Sequence, residues 1–93
     1  MKPQDKAIRW NKEKSALLKE TRGIGFETIE SLLENGDVLD IIMHPTLPHQ
    51  KMFLFDIDDY VVTVPFVESD TEIFLKTLFH NRKINKQYKR QPK

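Results

Sequence analysis

The chain contains no cysteine among its 93 residues. This absence excludes disulfide bonds, thiolate metal ligands and a cysteine nucleophile, and it fits a reducing cytoplasm, where we expect the protein to act. Glycine is also scarce, with three residues, and no glycine-rich phosphate-binding loop occurs. The chain has no apolar run near the ~20 residues needed to cross a bilayer. The polar start, Met1 to Lys6, gives no indication of a signal peptide.

The remaining composition is that of a folded domain. Hydrophobic residues make up 39% of the chain and charged residues 31%, which is typical of a globular protein rather than a disordered one. A chain of this length forms one domain, and it buries roughly 60–65% of its unfolded surface. We therefore predict a single domain over residues 1–93, with one modest core.

Charge is distributed unevenly along the chain. The last twelve residues, Arg82 to Lys93, contain six basic side chains and no acidic one, whereas the other 81 contain nine basic and fourteen acidic side chains and sum to −5. Phosphate contacts from Arg and Lys supply much of the affinity for nucleic acids. The basic end therefore suits RNA or DNA, and the acidic body suits a basic protein.

Two helices are predicted early in the chain. Asn11 is a suitable N-cap for a helix over about Lys12 to Thr21, with an apolar face formed by the run 16–18, and Gly23 ends it. A second helix is predicted over Phe26 to Glu34 because apolar residues recur at helical spacing, and Asn35-Gly36 ends it.

After residue 38 the apolar period changes from helical spacing to two, which predicts strands. The predicted strands are Ala7–Trp10, Val38–Met43, Lys51–Ile57, Tyr60–Val67 and Glu72–Phe79. Pro65 predicts a bulge or an unpaired edge, and Ile73, Leu75, Thr77 and Phe79 are expected on one face. A C-terminal helix capped by Asn85 would follow. The order is β-α-α-β-β-β-β-α, an α+β fold with two helices on a mostly antiparallel sheet of four or five strands.

The end of the last predicted strand is the most informative place for chemistry. His80, Arg82 and Lys83 lie where the strand meets the basic segment, with Lys76 on the strand, on the face opposite Phe79. RNA cleavage needs a base for the 2′-hydroxyl, an acid for the leaving oxygen and a cation for the charged phosphorus centre. Arg suits the last role because its guanidinium donates two hydrogen bonds to phosphate oxygens. A solvated basic tail without a site is the alternative.

Other candidate residues favour structural roles. His44 and His49 flank a loop containing two prolines, and their spacing matches no zinc motif. That one of them joins the active site is the alternative. Asp58-Asp59 predicts a hairpin turn, because the glycine and distal glutamate of a calcium loop are missing. Trp10 is expected to anchor the core. We expect neither a metal nor another cofactor.

Two segments resemble the BrnT toxins of type II toxin–antitoxin systems. Trp10-Asn11, followed by a helix and then Arg22-Gly23-Ile24-Gly25-Phe26, resembles the family's opening, in which Trp-Asp precedes a helix, His-Gly, an aliphatic residue and Phe. The run Arg82-Lys83-Ile84-Asn85-Lys86-Gln87-Tyr88 resembles its closing Arg-x-Ala-Ser/Thr segment. The resemblance covers roughly residues 8–90. Asn11, Arg22 and Ile84 depart from the family's usual Asp, His and Ala.

The resemblance implies a RelE-like fold and a small bacterial endoribonuclease toxin that arrests translation without a metal. It further implies a cognate antitoxin, of the ribbon-helix-helix type, in a heterotetramer or larger complex. Arg82 would stabilise the transition state, with Lys76 in place of a family arginine, and His80 or Tyr88 would transfer protons. The expected contacts to the RNA backbone are Lys83, Lys86, Lys89 and Arg90. A non-enzymatic module that binds nucleic acid or a protein is the main alternative.

Overall fold

The computed structural model describes residues 6–89, which form an α+β fold. The helices are α1 (Lys12–Arg22), α2 (Phe26–Glu34) and α3 (Arg82–Lys89). The strands are β1 (Ala7–Arg9), β2 (Asp40–Met43), β3 (Lys51–Ile57), β4 (Tyr60–Glu68), β5 (Glu72–Leu75) and β6 (Phe79–His80). The predicted α+β class is confirmed, but the single last strand of the prediction is two strands, so the order gains one β element.

The strands form one six-stranded sheet in the order β1-β5-β4-β3-β2, and β6 pairs with β4 beyond the end of β5. All pairs are antiparallel except β1 with β5, which run parallel. The β3–β4 hairpin turns at Asp58 and Asp59, whose φ angles are 52° and 65°. Positive φ at both central residues matches the right-handed twist of the strands, as in a type I′ turn. The predicted hairpin turn is therefore confirmed.

The ends of the first two helices follow the sequence signals. The Asn11 side chain accepts a hydrogen bond of 2.9 Å from the Lys14 N–H at the start of α1, as an N-cap does. Gly23, with φ of 78°, ends α1 in the left-handed region, and Gly36, with φ of 76°, follows α2. Both positions suit glycine because a Cβ makes this conformation costly.

Helices α1 and α2 cover one face of the sheet, which we call the α1/α2 face. The buried apolar side chains that form this core are Leu18, Ile24, Phe26, Ile29, Leu33, Phe53, Phe55, Val62, Val64, Phe66, Ile73, Leu75 and Leu78. Trp10 packs against this cluster, with its ring 6.2 Å from that of Phe26, which supports the predicted anchoring role. The predicted apolar face of α1 is wrong in part, because Ala16 and Leu17 are exposed and only Ser15 and Leu18 are buried.

Ser15 replaces the side-chain cap that Gly25 cannot supply to α2. Its Oγ accepts the Phe26 N–H at 2.8 Å and donates to Oε1 of Glu27 at 2.8 Å. A hydrogen bond to the backbone N–H of Glu27 itself, followed by the Ser15 hydrogen bond, lowers the pKa of this carboxyl below its ordinary value. The two Ser15 hydrogen bonds fix α1 against α2. They also satisfy the buried Ser15 hydroxyl, as buried polar groups require.

A bulge separates β5 from β6 opposite Pro65. Leu75 pairs with Phe66, but Phe79 pairs with Thr63, so residues 76–78 face only residues 64–65. Proline has no N–H to donate to a neighbouring strand. Pro65 therefore bonds to this segment through its carbonyl, which accepts the Lys76 N–H at 2.9 Å. The bulge predicted near Pro65 is confirmed, although the extra residue lies on the neighbouring strand.

The extra residue changes which side chains share a face. Leu78 joins Ile73 and Leu75 in the core, whereas Thr77 and Phe79 do not, contrary to the predicted alternation. Phe79 lies opposite Thr63 on the other face of the sheet, the face of Phe74.

The other face of the sheet, which we call the α3 face, is covered in part by α3. Asp40 lies opposite Leu54, which lies opposite Thr63, so the three share this face. The hydroxyl of Tyr88, near the end of α3, reaches Asp40. Helix α3 therefore starts beside β4 and crosses to the edge strand β2. Leu54 and Thr63 are fully buried, so this face contributes a second, smaller core.

Candidate functional site

The junction between β6 and α3 is fixed to the start of β4 by hydrogen bonds. The Asn81 N–H donates to the Val61 carbonyl at 3.0 Å, and the Val61 N–H donates to Oδ1 of Asn85 at 2.9 Å. The Asn81 side chain accepts the Ile84 N–H at 3.0 Å and so caps α3. The predicted cap at Asn85 is therefore wrong. Asn85 lies within the helix, and its side-chain oxygen accepts the Val61 N–H of β4 instead of capping the helix.

The predicted residues at this junction are accessible. His80 and Arg82 are two positions apart, so their Cα atoms lie within about 7 Å, and both are exposed, as is Lys83. The His80 ring packs edge-on against Tyr60, with ring centroids 5.5 Å apart. No local sequence pattern marks Tyr60, because its contact with His80 depends on the pairing of β4 with β6.

Three basic residues of α3, Arg82, Lys83 and Lys86, are exposed to solvent. Ile84, Asn85 and Tyr88 are half-buried towards the sheet, and Arg82, Lys83, Lys86 and Gln87 are exposed. Arg82 also occupies the first turn, where the positive end of the helix dipole favours an anion. Lys89 is described only as the last residue of α3, and the predicted contact residue Arg90 lies outside the described residues.

Acidic side chains lie near the same end of the sheet. The Asp58-Asp59 turn precedes Tyr60, the residue that contacts His80. A phosphate at this end would be repelled by these carboxylates, so its binding depends on positive charge from α3.

Tyr88 has a different environment from the junction residues. Its hydroxyl donates to Oδ2 of Asp40 at 2.9 Å, and Oδ1 of Asp40 accepts the Ile41 N–H at 2.8 Å. The hydrogen bond to Asp40, then burial and the negative charge of Asp40, raise the pKa of Tyr88 above its ordinary value. The phenol therefore remains protonated at neutral pH.

Lys76 is also separate from the junction. It shares the α3 face with Phe74, and its Nζ lies 5.6 Å from the centre of the Phe74 ring. The prediction that Lys76 and Phe79 occupy opposite faces is wrong because of the bulge. Lys76 lies beside Pro65, whereas His80 pairs with Val62, three residues or about 10 Å along β4. The structure thus brings His80 and Arg82 together and leaves Lys76 and Tyr88 elsewhere.

The histidines of the β2–β3 loop have different surroundings. Nδ1 of His44 accepts the backbone N–H groups of Thr46 and Leu47 at 3.2 and 3.1 Å, which orders the loop. His49 is exposed. Within residues 6–89, no group of three or more His, Asp or Glu side chains is arranged to hold a metal ion.

None of the helices in the described part of the chain is both long and apolar enough to cross a membrane. Comparison of the chain with models of protein families, with curated proteins and with solved structures gave no match.

Proposed function

We propose that this chain is a metal-independent endoribonuclease toxin of the BrnT kind, with a RelE-like fold. It would act in the cytoplasm and be neutralised by a cognate antitoxin. The observation that carries the proposal is the β6–α3 junction, where His80, Arg82 and Lys83 are exposed on backbone held by hydrogen bonds to Val61. A fixed backbone reduces the reorganisation needed to stabilise a charged transition state.

The reaction that suits these groups is internal transfer at a phosphodiester. The RNA 2′-oxygen loses its proton and bonds to phosphorus, and the bond from phosphorus to the 5′-oxygen breaks as that oxygen gains a proton. Negative charge accumulates on the phosphoryl oxygens. The Arg82 guanidinium donates to them, and the positive end of α3 adds to the same effect.

His80 is our choice for proton transfer. Imidazole exchanges protons near neutral pH, and the His80 side chain is exposed two positions from Arg82. Tyr88 is less suitable because its hydroxyl is bound to Asp40. The exposed Lys83 and Lys86 would bind neighbouring phosphates, and Lys89 and Arg90 would extend this contact along the chain.

A non-enzymatic module that binds nucleic acid is the second candidate. The separation of Lys76 and Tyr88 from the junction favours this candidate. Cleavage needs a base and an acid, and of the predicted catalytic residues His80 is then the one proton-transfer group described at the junction. Such a module would bind RNA with steep dependence on salt concentration and leave it intact.

Growth after tightly controlled expression in a bacterium tests the proposal. Wild type should arrest growth, and Arg82→Ala should not, at equal soluble protein levels. Arg22→Ala is the matched control, since Arg22 is also an exposed arginine at a helix end, and it should arrest growth like wild type. Arrest by Arg82→Ala would refute the site, and no arrest by soluble wild type would favour the binding module.

A further inference from the structure

Phe74 is the exception among the six phenylalanines of the chain. Four of them, Phe26, Phe53, Phe55 and Phe66, are at most 2% exposed, and Phe79 is half-buried, but Phe74 is 36% exposed. It lies on β5, on the α3 face, opposite the half-buried Val67. A ligand can reach this ring without any change in the backbone, once the flexible Lys76 side chain that lies over it moves aside.

Two basic side chains flank the ring. The Lys76 ammonium lies over the Phe74 ring, 5.6 Å from its centre, and can move from there to a phosphate when a base takes its place. Arg9 is directly opposite Phe74 in the parallel β1–β5 pairing, and its side chain is 62% exposed. Arg9 Nε contacts Glu72 at 3.1 Å, which neutralises the adjacent carboxylate. The guanidinium has five N–H donors, so this single contact leaves others for a phosphate.

The Phe74 ring lies within reach of an RNA strand bound at the β6–α3 junction. Phe74 pairs with Val67 and His80 pairs with Val62, so five residues of β4, or about 17 Å, separate the two places. Lys76 lies between them. An extended single strand that met the junction with one phosphodiester would reach Phe74 a few nucleotides away.

We infer that Phe74, flanked by Arg9 and Lys76, is a stacking platform for a base of single-stranded RNA. The inference rests on the proposed function and adds a second contact to it. Bases stack on aromatic rings largely irrespective of sequence, while basic groups follow the backbone. Lys76 then acts in binding the strand, at a distance from the reacting phosphate.

The surroundings favour RNA over a protein partner. A protein-docking surface contains a contiguous apolar centre. The other large apolar residues of the described chain that are similarly exposed are Leu17, Leu39, Met43 and Leu47. They lie on α1, beside or on β2, and in the β2–β3 loop, so none adjoins Phe74 in sequence or strand pairing.

The test measures RNA binding by fluorescence anisotropy in the Arg82→Ala background, which separates binding from cleavage. Labelled RNAs of ten and three nucleotides are the probes. Phe74→Leu removes the ring and keeps an apolar side chain, Phe74→Trp keeps a stacking surface, and Met43→Ala is the control at an exposed apolar residue distant from the ring. Circular dichroism checks that each variant is folded.

Phe74→Leu should bind the ten-nucleotide RNA about tenfold more weakly, because one stacked base is lost, and should bind the trinucleotide as its parent does. Phe74→Trp should bind with the affinity of its parent. Its tryptophan fluorescence should be quenched by RNA more than that of the parent, in which Trp10 is the single tryptophan. Unchanged binding of the longer RNA by Phe74→Leu would overturn the platform and leave the proposed function standing. Absence of RNA binding by the parent, with no cleavage by wild type, would overturn both.

Discussion

The Tyr88 hydroxyl donates a hydrogen bond of 2.9 Å to Oδ2 of Asp40, whose other oxygen accepts the Ile41 N–H. This contact ties the far end of α3 to the edge strand β2. Oδ1 of Asp40 also occupies the Ile41 N–H of this edge strand, a group that would otherwise be open to pairing with another chain. Tyr88 and Asp40 are 48 positions apart, so this contact is a product of the tertiary fold.

We expect Tyr88→Phe to lower the free energy of unfolding by about 0.5–1.5 kcal/mol, because one hydrogen bond is lost, and to leave the RNA cleavage rate within about twofold of wild type, a change of about 0.4 kcal/mol in the barrier. Urea denaturation and a cleavage assay measure the two effects. The pKa of Tyr88 is raised in the folded protein. The stability difference should therefore persist at neutral pH and disappear as pH rises through that raised pKa. Normal stability with a large loss of cleavage would instead assign proton transfer to Tyr88.

Asn85→Ala should destabilise the protein by about 1–3 kcal/mol, because the part-buried Val61 N–H loses its acceptor. Gln87→Ala is the matched control, an exposed amide on the same helix, and should change stability by less than about 0.5 kcal/mol. Urea denaturation of the three proteins checks this. Equal stability of Asn85→Ala and Gln87→Ala would show that the junction is not fixed in the way described.

Glu68→Gln should make stability less dependent on pH. Glu68 accepts from Lys6 at 2.6 Å and from Lys51 at 3.0 Å, and these hydrogen bonds, Lys6 first, lower its pKa below the ordinary value of 4.5. A lowered folded pKa contributes stability above the unfolded value, and this is lost as pH falls through the folded value.

The wild type should therefore exceed Glu68→Gln in free energy of unfolding at pH 7 by about 0.2–1 kcal/mol for each partly exposed ion pair. The difference should shrink as pH falls below about 4.5, towards full protonation of the carboxyl. Denaturant titrations across this pH range measure it. A difference that stays constant down to pH 2 would show that the ion pairs are not its source.

Local patterns predicted the elements whose signals are local. The bounds of α2 and β3 match the prediction, because apolar spacing and the residues at their ends specify them together. Likewise, Asn11 begins α1 and Gly23 ends it through contacts within a few residues. The basic junction at Arg82 was also predictable, since charge and strand ending both occur in one short segment.

The remaining features depend on contacts between distant segments. The extra residue at 76–78 shifts the strand register by one. One register buries Leu78 and the other would bury Phe79, so the alternation of apolar residues does not select between them. Asn81 and Asn85 are both suitable caps, and only the contact with Val61 assigns them different roles. The position of Lys76 relative to His80 follows from the same bulge.

Cleavage of RNA by the purified protein in excess chelator decides whether this chain is a metal-independent ribonuclease that acts through Arg82. Wild type and Arg22→Ala should cleave single-stranded RNA at similar rates. Arg82→Ala should remain folded and cleave about 10²–10³-fold more slowly, because a group that stabilises the transition-state charge is lost. Cleavage by Arg82→Ala at the wild-type rate, or no cleavage by folded wild type, would contradict the account.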